Sequence, residues 1–168
     1  MMNNKIKKLK LILTDVDGVL TDGSLYFTKS GEYLKKFNIK DGMGVNILLR
    51  NNIPTGIVTK EKSKIVEIWA KQMNISFIKM GVKQKEIALD MICKKFSLKK
   101  GEVAYIGDDV NDLSILNKVG FSACPSDAVK VVKNTVHYIC KNKSGDGAFR
   151  ELCDIILKIK FGKKTILY

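Results

Sequence analysis

Short apolar runs, each long enough for one strand, alternate along the chain with longer segments in which apolar residues recur every three or four positions. This alternation is typical of a parallel sheet flanked by helices. The predicted strands are Leu9–Thr14, Pro54–Thr59, Ile75–Lys79, Val103–Ile106 and Phe121–Cys124. The predicted helices are Gly42–Arg50, Ser63–Met73, Lys85–Phe96, Asp112–Val119 and Ala148–Ile159. The sequence therefore predicts an α/β fold with helices on both faces of the sheet.

One segment interrupts the alternation directly after the first strand. Ser24 to Asn38 reads as two short strands around the turn Lys29-Ser30-Gly31, which predicts a β-hairpin. An excursion beside the carboxyl end of a strand lies where open α/β sheets bind ligands. The interval before the next helix is too short for a separate cap domain.

The 168 residues show no internal repeat or linker, and we expect a single domain over residues 1–168 with a C-terminal tail at about 160–168. A hydrophobic content of 45% indicates a globular protein. The longest apolar runs are strand-sized, so no membrane span is expected. The basic N-terminal stretch is followed by too short an apolar run for a signal peptide, which favours the cytoplasm.

The net charge of +13 raises the possibility of nucleic-acid binding. Two of the 30 basic residues are arginine, however, and the lysines are spread along the chain without interleaved aromatic residues. We therefore expect no nucleic-acid partner, although a basic surface can steer anionic substrates. The four cysteines are widely separated and are interpreted as buried free thiols rather than zinc ligands.

Two acidic clusters each follow a predicted strand. Asp15 and Asp17, two positions apart, face one crevice, and Asp108, Asp109 and Asp112 follow the strand EVAYI. Because the carboxyl ends of parallel strands share one edge of the sheet, up to five carboxylates converge there. Their mutual repulsion calls for a hard cation, and Mg²⁺ is the natural choice for phosphate chemistry.

A hydroxyl and a lysine complete a candidate phosphate site. Thr59 ends a strand, and Lys85 begins a helix and offers a positive charge to a phosphoryl group. A carboxylate nucleophile, a second carboxylic acid, a metal, a lysine and a hydroxyl are the parts of an aspartyl-phosphate mechanism. Each residue alone also fits a helix cap, a turn or a solvated surface. The ordered set is the specific signal.

The motifs DVDGVLTDG, Thr59, Lys85 and GDDVND resemble, in this order, the four motifs of the haloacid dehalogenase superfamily. The segment DGSLYFTKSGEYLKKFNIKDGMG and the stretch SGDGAFRE resemble its capless tetrameric branch, the phosphatases of 3-deoxy-manno-octulosonate 8-phosphate and related sugar acids. This resemblance implies a Rossmann-like three-layer sheet without a cap. It also implies a homotetramer, assembled through the hairpins, in which neighbouring subunits share active sites.

The resemblance also implies a role for each matching residue. Asp15 is implied as the nucleophile, and Asp17 as the acid that protonates the leaving oxygen and then activates water. The implied Mg²⁺ ligands are Asp15, the backbone carbonyl of Asp17, and Asp108. The supporting residues are Asp109, Asn111 and Asp112, and the phosphate-binding residues are Thr59 and Lys85. Arg150 is implied either to order the tail or to meet the substrate carboxylate, and a helix-surface arginine fits equally.

The match departs from the branch after the second motif. Members that act on the eight-carbon acid usually read T-G-R, whereas this chain reads Thr59-Lys60-Glu61 and continues with Lys62. This form resembles phosphatases of the nine-carbon acid 2-keto-3-deoxynononate 9-phosphate. The resemblance implies that Glu61 and Lys62 face the sugar. The alternative for Glu61 is a surface residue favoured by the helix dipole. We therefore expect a phosphorylated eight- or nine-carbon 2-keto-3-deoxy sugar acid as substrate.

Two other functions stay open from the sequence. A broad-specificity small-molecule phosphatase of the same superfamily would carry the same motifs. A non-enzymatic basic binding or scaffold protein would bind its partner without needing Asp15.

Overall fold

A six-stranded parallel sheet is the centre of the computed structural model, which describes residues 2–167. Its strands are β1 Leu11–Thr14, β4 Thr55–Val58, β5 Phe77–Lys79, β6 Val103–Ile106, β7 Phe121–Cys124 and β8 Tyr138–Ile139. They lie in the order β5-β4-β1-β6-β7-β8 across the sheet. The five predicted strands are confirmed, with shorter ends at three of them. The edge strand β8 was not predicted because two residues carry too little pattern.

Seven helices cover the sheet within the described residues. They are α1 Met2–Lys7, α2 Ile39–Arg50, α3 Lys64–Gln72, α4 Lys85–Phe96, α5 Leu113–Leu116, α6 Lys130–Lys133 and α7 Ala148–Phe161. The predicted helix Asp112–Val119 is shorter in the structure, since a 3₁₀ turn at Val110–Asp112 precedes the single α-helical turn of α5. The short helices α1 and α6 were not predicted.

The core has two parts, one on each face of the sheet. Along β1, Ile12 packs into a cluster with Ile6, Val45 and Phe149 from α1, α2 and α7. Its neighbours Leu11 and Leu13 pack on the opposite face, in a cluster that includes residues of α4, α5 and α6: Leu89, Ile115 and Val132. A strand buried on both faces is the hallmark of a three-layer α/β fold, which confirms the predicted architecture.

The predicted hairpin is present as β2 (Tyr26–Thr28) and β3 (Gly31–Leu34), which pair antiparallel apart from the main sheet. Gly31 has a φ of +113°, a conformation that side chains with a Cβ rarely adopt. The hairpin carries large apolar side chains that are exposed in the single chain: Leu25, Tyr26, Phe27, Tyr33 and Leu34. No cap domain occurs within residues 2–167.

The described part of the C-terminal tail folds back on the end of α2. Asn51 donates from Nδ2 to the Ile166 carbonyl at 2.8 Å and accepts from the Ile166 N–H at 3.0 Å. The side-chain amide of Asn51 thus pairs with the tail as a second strand would. Tyr168, the last residue of the predicted tail, and Met1, the first of the predicted domain, lie outside the described residues. No helix among residues 2–167 has the length and hydrophobicity to cross a membrane.

Candidate active site

Three neighbouring central strands bring the predicted site residues to one edge of the sheet. Thr14, the last residue of β1, is in register with Ile57 of β4 on one side and Ile106 of β6 on the other. The loops that follow these strands form a crevice of about 310 Å³. It is lined by Asp15, Asp17, Thr59, Lys60, Glu61, Asp108, Asp109, Val110 and Asn111.

The loop after β1 fits tightly against the loop after β6. Asp15 Oδ1 accepts the Val16 N–H at 2.8 Å, which fixes the orientation of the carboxylate. Gly18 has a φ of +83°, and a Cβ added to it would lie 2.0 Å from Asp108 Oδ2. Only glycine therefore lets the Asp108 carboxylate approach the first loop this closely.

Lys85 lies beneath the crevice between two carboxylates. Its Nζ is 2.6 Å from Asp15 Oδ2 and 2.6 Å from Asp112 Oδ1, and its side chain is 1% exposed. Burial lowers the pKa of Lys85, but the two carboxylates outweigh this effect and hold the pKa above its ordinary value. Lys85 is therefore a fixed positive charge in contact with Asp15.

Tyr105, on β6, belongs to the same buried cluster and was missed by the sequence analysis. Its hydroxyl donates to Asp112 Oδ1 at 2.6 Å and accepts from Lys85 Nζ at 3.1 Å. The other oxygen of Asp112 accepts the Asp108 N–H at 3.0 Å. The only signal for Tyr105 was a hydroxyl-bearing residue within an apolar strand, a pattern that many core tyrosines share.

A second lysine missed by the sequence analysis contacts the other predicted catalytic residue. Lys35 follows β3, and its Nζ lies 2.5 Å from Asp17 Oδ1 and 2.9 Å from Glu32 Oε1. No sequence pattern distinguishes Lys35 from the other lysines of the chain. Lys35 reaches Asp17 only because the hairpin folds against the loop after β1.

Carboxylates crowd the crevice strongly enough to change their protonation. Burial, with repulsion from Asp112, raises the pKa of Asp15 to about 6 against the attraction of Lys85. Burial, with repulsion from Asp112, Asp15 and Asp109, raises the pKa of Asp108 to about 8. Carboxylate oxygens of Asp15, Asp108 and Asp112 lie within 4.8 Å of one another. A hard divalent cation fits this site, because it binds oxygen donors and would neutralise the excess negative charge.

The remaining predicted residues divide between the crevice and other surfaces. Thr59 is buried at the crevice, and its N–H donates to the Lys79 carbonyl at 2.9 Å. Glu61 also lines the crevice, whereas the Lys62 side chain extends toward Gly81. Arg150 lies in a separate groove with Lys40. The structure therefore brings neither Lys62 nor Arg150 into the crevice of its own chain.

The fold and the site together define a haloacid dehalogenase-like hydrolase. Residues 50–152 match this family, and the chain belongs to it. It is, more narrowly, a phosphoric monoester hydrolase, because its similar relatives are phosphatases. The 3-deoxy-D-manno-octulosonate 8-phosphate phosphatase KdsC of Escherichia coli K12 is 37% identical over 153 residues, covering 91% of this chain and 81% of the relative.

Solved structures agree with this assignment. The structure of 3-deoxy-D-manno-octulosonate 8-phosphate phosphatase from Moraxella catarrhalis, in complex with magnesium, phosphate and KDO, is 34% identical with a TM-score of 0.92, covering 95% of this chain and 91% of that one. The cobalt-bound phosphatase from Haemophilus influenzae is 36% identical with a TM-score of 0.91, covering 95% and 93%. These similarities confirm the capless fold and support a divalent metal in the crevice.

Proposed function

We propose that this chain is a Mg²⁺-dependent phosphatase that hydrolyses the phosphate monoester of an eight- or nine-carbon 2-keto-3-deoxy sugar acid through an aspartyl-phosphate intermediate. The observation that carries the proposal is Asp15, a nearly buried carboxylate held by Lys85 and by a backbone N–H at the base of the acidic crevice. Relatives of similar length and fold carry the name of such a phosphatase.

Asp15 is the proposed nucleophile. One carboxylate oxygen attacks phosphorus, the bond from phosphorus to the sugar oxygen breaks, and the phosphoryl group becomes bonded to Asp15. Lys85, 2.6 Å from Asp15 Oδ2, offsets the negative charge that gathers around the transferring group. Thr59 supplies a hydroxyl and the backbone after it to the phosphoryl oxygens.

Asp17 is the proposed acid and base. It gives a proton to the departing sugar oxygen, and the resulting carboxylate takes a proton from the water that attacks the aspartyl-phosphate. Inorganic phosphate leaves, and both Asp15 and Asp17 return to their starting state.

Asp15, the backbone carbonyl of Asp17, and Asp108 are the proposed ligands of Mg²⁺, and Asp109, Asn111 and Asp112 support them. When bound, the cation neutralises phosphoryl oxygens and orients the ester. Asp112 supports the site from below, because it orients the Asp108 backbone and Lys85 together.

Glu61 is the proposed contact to the sugar within the chain. It lines the crevice beside Thr59, where the part of the substrate beyond the phosphate must lie. A carboxylate at this position accepts hydrogen bonds from sugar hydroxyls. We propose that Lys62 and Arg150 contact the sugar acid across a subunit boundary, since neither reaches the crevice of its own chain.

A homotetramer is the proposed assembly, and a single domain over residues 1–168 is its proposed unit. The exposed apolar side chains of the β2–β3 hairpin support an interface there, because a monomer seldom leaves so many large apolar groups in water. Four free cysteines fit a reducing compartment, which supports the cytoplasm as the proposed location.

The test is phosphate release with Mg²⁺ from a panel that contains both keto-deoxy sugar acid phosphates and unrelated sugar phosphates. Asp15→Asn keeps the size of the side chain and is the matched control. We expect one keto-deoxy acid to be preferred and Asp15→Asn to abolish turnover while circular dichroism stays unchanged. Equal, weak turnover of the whole panel would favour a broad-specificity phosphatase, and activity that survives in Asp15→Asn would contradict the proposed mechanism.

A further inference from the structure

Lys35 stands apart from nearly all other lysines of the chain. Among the lysines of residues 2–167 only Lys35 and Lys85 are buried, and the Lys35 side chain is 1% exposed although the hairpin around it is largely in water. A buried ammonium is unfavourable unless charged partners surround it. Its burial at this position therefore depends on the carboxylates that it contacts.

Lys35 connects two carboxylates from different segments. Its Nζ lies 2.5 Å from Asp17 Oδ1 and 2.9 Å from Glu32 Oε1. Burial lowers the pKa of Lys35, but the bonds to Asp17 and Glu32 outweigh it and leave the pKa above its ordinary value. The side chain is therefore a permanent cation.

The contacts continue from Glu32 into the segment that follows Glu61. The other oxygen of Glu32 accepts a hydrogen bond from the Ser63 hydroxyl, and Ser63 Oγ accepts the Val66 N–H at 3.3 Å as the cap of α3. The chain of contacts from Asp17 through Lys35 and Glu32 to Ser63 thus connects the loop after β1 to the N-terminus of α3. Among residues 2–167, no other group forms a hydrogen bond with the Asp17 carboxylate.

We propose that Lys35 is the positioning residue for Asp17. By holding Oδ1, it turns the second oxygen of Asp17 toward the crevice, where a proton must pass to the leaving group and from water. Lys35 does not line the crevice, so its effect passes through Asp17. The inference rests on the proposed function, and it adds a residue of the hairpin to the machinery of proton transfer.

Because Lys35 acts through proton transfer, the activity lost when Lys35 is replaced depends on the leaving group of the substrate. An alkyl phosphate needs a proton on its departing oxygen, whereas para-nitrophenolate leaves without one. The second step, attack of water on aspartyl-phosphate, needs Asp17 for either substrate. A poorly positioned Asp17 therefore slows both steps for the alkyl phosphate and only the second step for para-nitrophenyl phosphate.

The test compares Lys35→Met, which has a similar shape and no charge, with Lys36→Met, which removes an adjacent lysine whose side chain is 67% exposed. Each is assayed with Mg²⁺ on para-nitrophenyl phosphate and on the keto-deoxy sugar acid phosphate, of eight or nine carbons, that the unaltered protein hydrolyses faster. For Lys35→Met we expect kcat on the sugar acid phosphate to fall about 10- to 100-fold, part of the roughly 10²- to 10⁴-fold that acid–base catalysis contributes. KM should change little.

On para-nitrophenyl phosphate, Lys35→Met should release a burst of about one equivalent of nitrophenolate before a slow steady state. Phosphorylated Asp15, trapped by acid quench and measured by mass spectrometry, should accumulate. Lys36→Met should match the unaltered protein in every measurement. Lys35→Arg, which restores the charge with displaced donors, should show an intermediate kcat and the same dependence on the leaving group.

An equal fall on both substrates without phosphoenzyme would overturn the role of Lys35, and so would an unchanged kcat. A raised KM with unchanged kcat would make Lys35 a substrate-binding residue instead. If Lys35→Met does not fold by circular dichroism, Lys35→Arg decides by the same criteria. An unaltered protein that hydrolyses none of the eight-carbon, nine-carbon and para-nitrophenyl phosphate esters refutes the proposed function itself, and with it the role of Lys35.

Discussion

Asp108 is the residue whose charge depends most on what the crevice contains. It lies against the backbone of Gly18 and near Asp15 and Asp112. Its pKa is raised to about 8 because ionising it among these carboxylates is unfavourable without a cation. Asp15, with a pKa of about 6, shares this cost. Proton and metal therefore compete for the same oxygens.

This competition predicts how stability responds to pH and to metal. The pKa values of Asp15 and Asp108 are raised above 3.8, so the folded metal-free protein binds more protons than the unfolded chain. The stabilisation that these protons provide is complete below about pH 4 and is lost as pH rises through about 6 and 8. We expect the melting temperature in a chelator to fall over this range and the increase produced by Mg²⁺ to grow with pH.

Thermal unfolding at several pH values, with chelator or with Mg²⁺, measures both effects. Asp108→Asn should remove most of the pH dependence above pH 6 and most of the response to Mg²⁺. Asp90→Asn, which neutralises a half-exposed carboxylate on α4, is the control and should leave both intact. A Mg²⁺ effect that is the same at pH 6 and pH 8 would contradict the assignment of Asp108 as a ligand.

Tyr105 predicts a separate effect on the base of the site. Tyr105→Phe removes the hydroxyl between Lys85 and Asp112, and we expect a loss of about 1–2 kcal/mol in unfolding free energy together with reduced kcat. Tyr138→Phe removes a hydroxyl that donates to Glu151 at 2.6 Å, away from the crevice, and should leave kcat intact. Urea unfolding and steady-state assays give the comparison, and equal kcat in the two variants would show that Tyr105 only supports the fold.

The residues of the site divide by how they are specified. The placement of five residues could be predicted, because each follows a strand or begins a helix and the strand ends share one edge of the sheet. These residues are Asp15, Asp17, Thr59, Lys85 and Asp108. Lys35 and Tyr105 could not, because their roles depend on contacts between segments far apart in the chain. Arg150 illustrates the converse, since its motif was recognised but its side chain lies in another groove.

The hairpin formed by β2 and β3 is the element with the most unusual surface. Phe27 is 65% exposed and Tyr33 is 70% exposed in the single chain. Replacing both by serine should lower the molecular mass in solution to that of one subunit, because the proposed apolar contact between subunits would be lost. Light scattering after gel filtration measures the mass. Ile87→Ser, on the exposed face of α4, is the control, and its mass should equal that of the unaltered protein.

Secondary structure could be predicted where apolar residues dominate a strand or recur at helical spacing. The strands β6 and β7 and the helix α4 begin and end at the predicted residues. The helices α1 and α6 and the strand β8 each contain only two apolar or aromatic residues, so that tertiary packing rather than periodicity decides them. Ile6 of α1, for instance, is fully buried against the main core, which no local signal around it indicates.

At the scale of the whole molecule, a strongly basic surface surrounds an acidic crevice. The net charge of +13 attracts a phosphate monoester from a distance, whereas the crevice itself contains clustered carboxylates. We expect added salt to lower kcat/KM by screening this attraction and to leave kcat unchanged. Steady-state kinetics at increasing NaCl with saturating Mg²⁺ tests this, and a salt effect confined to kcat would refute steering.

Each of the two carboxylates proposed to react, Asp15 and Asp17, is paired with its own buried lysine, and this pairing also constrains the order in which ligands bind. Lys85 contacts both Asp15 and Asp112, and Lys35 contacts both Asp17 and Glu32. Each ammonium is therefore neutralised by its carboxylates and does not attract an anion from solution. An ester dianion entering the bare crevice therefore meets net repulsion. Binding is expected to be ordered, with the proposed divalent cation before the ester, so that the supply of the cation rather than of the ester would then limit turnover.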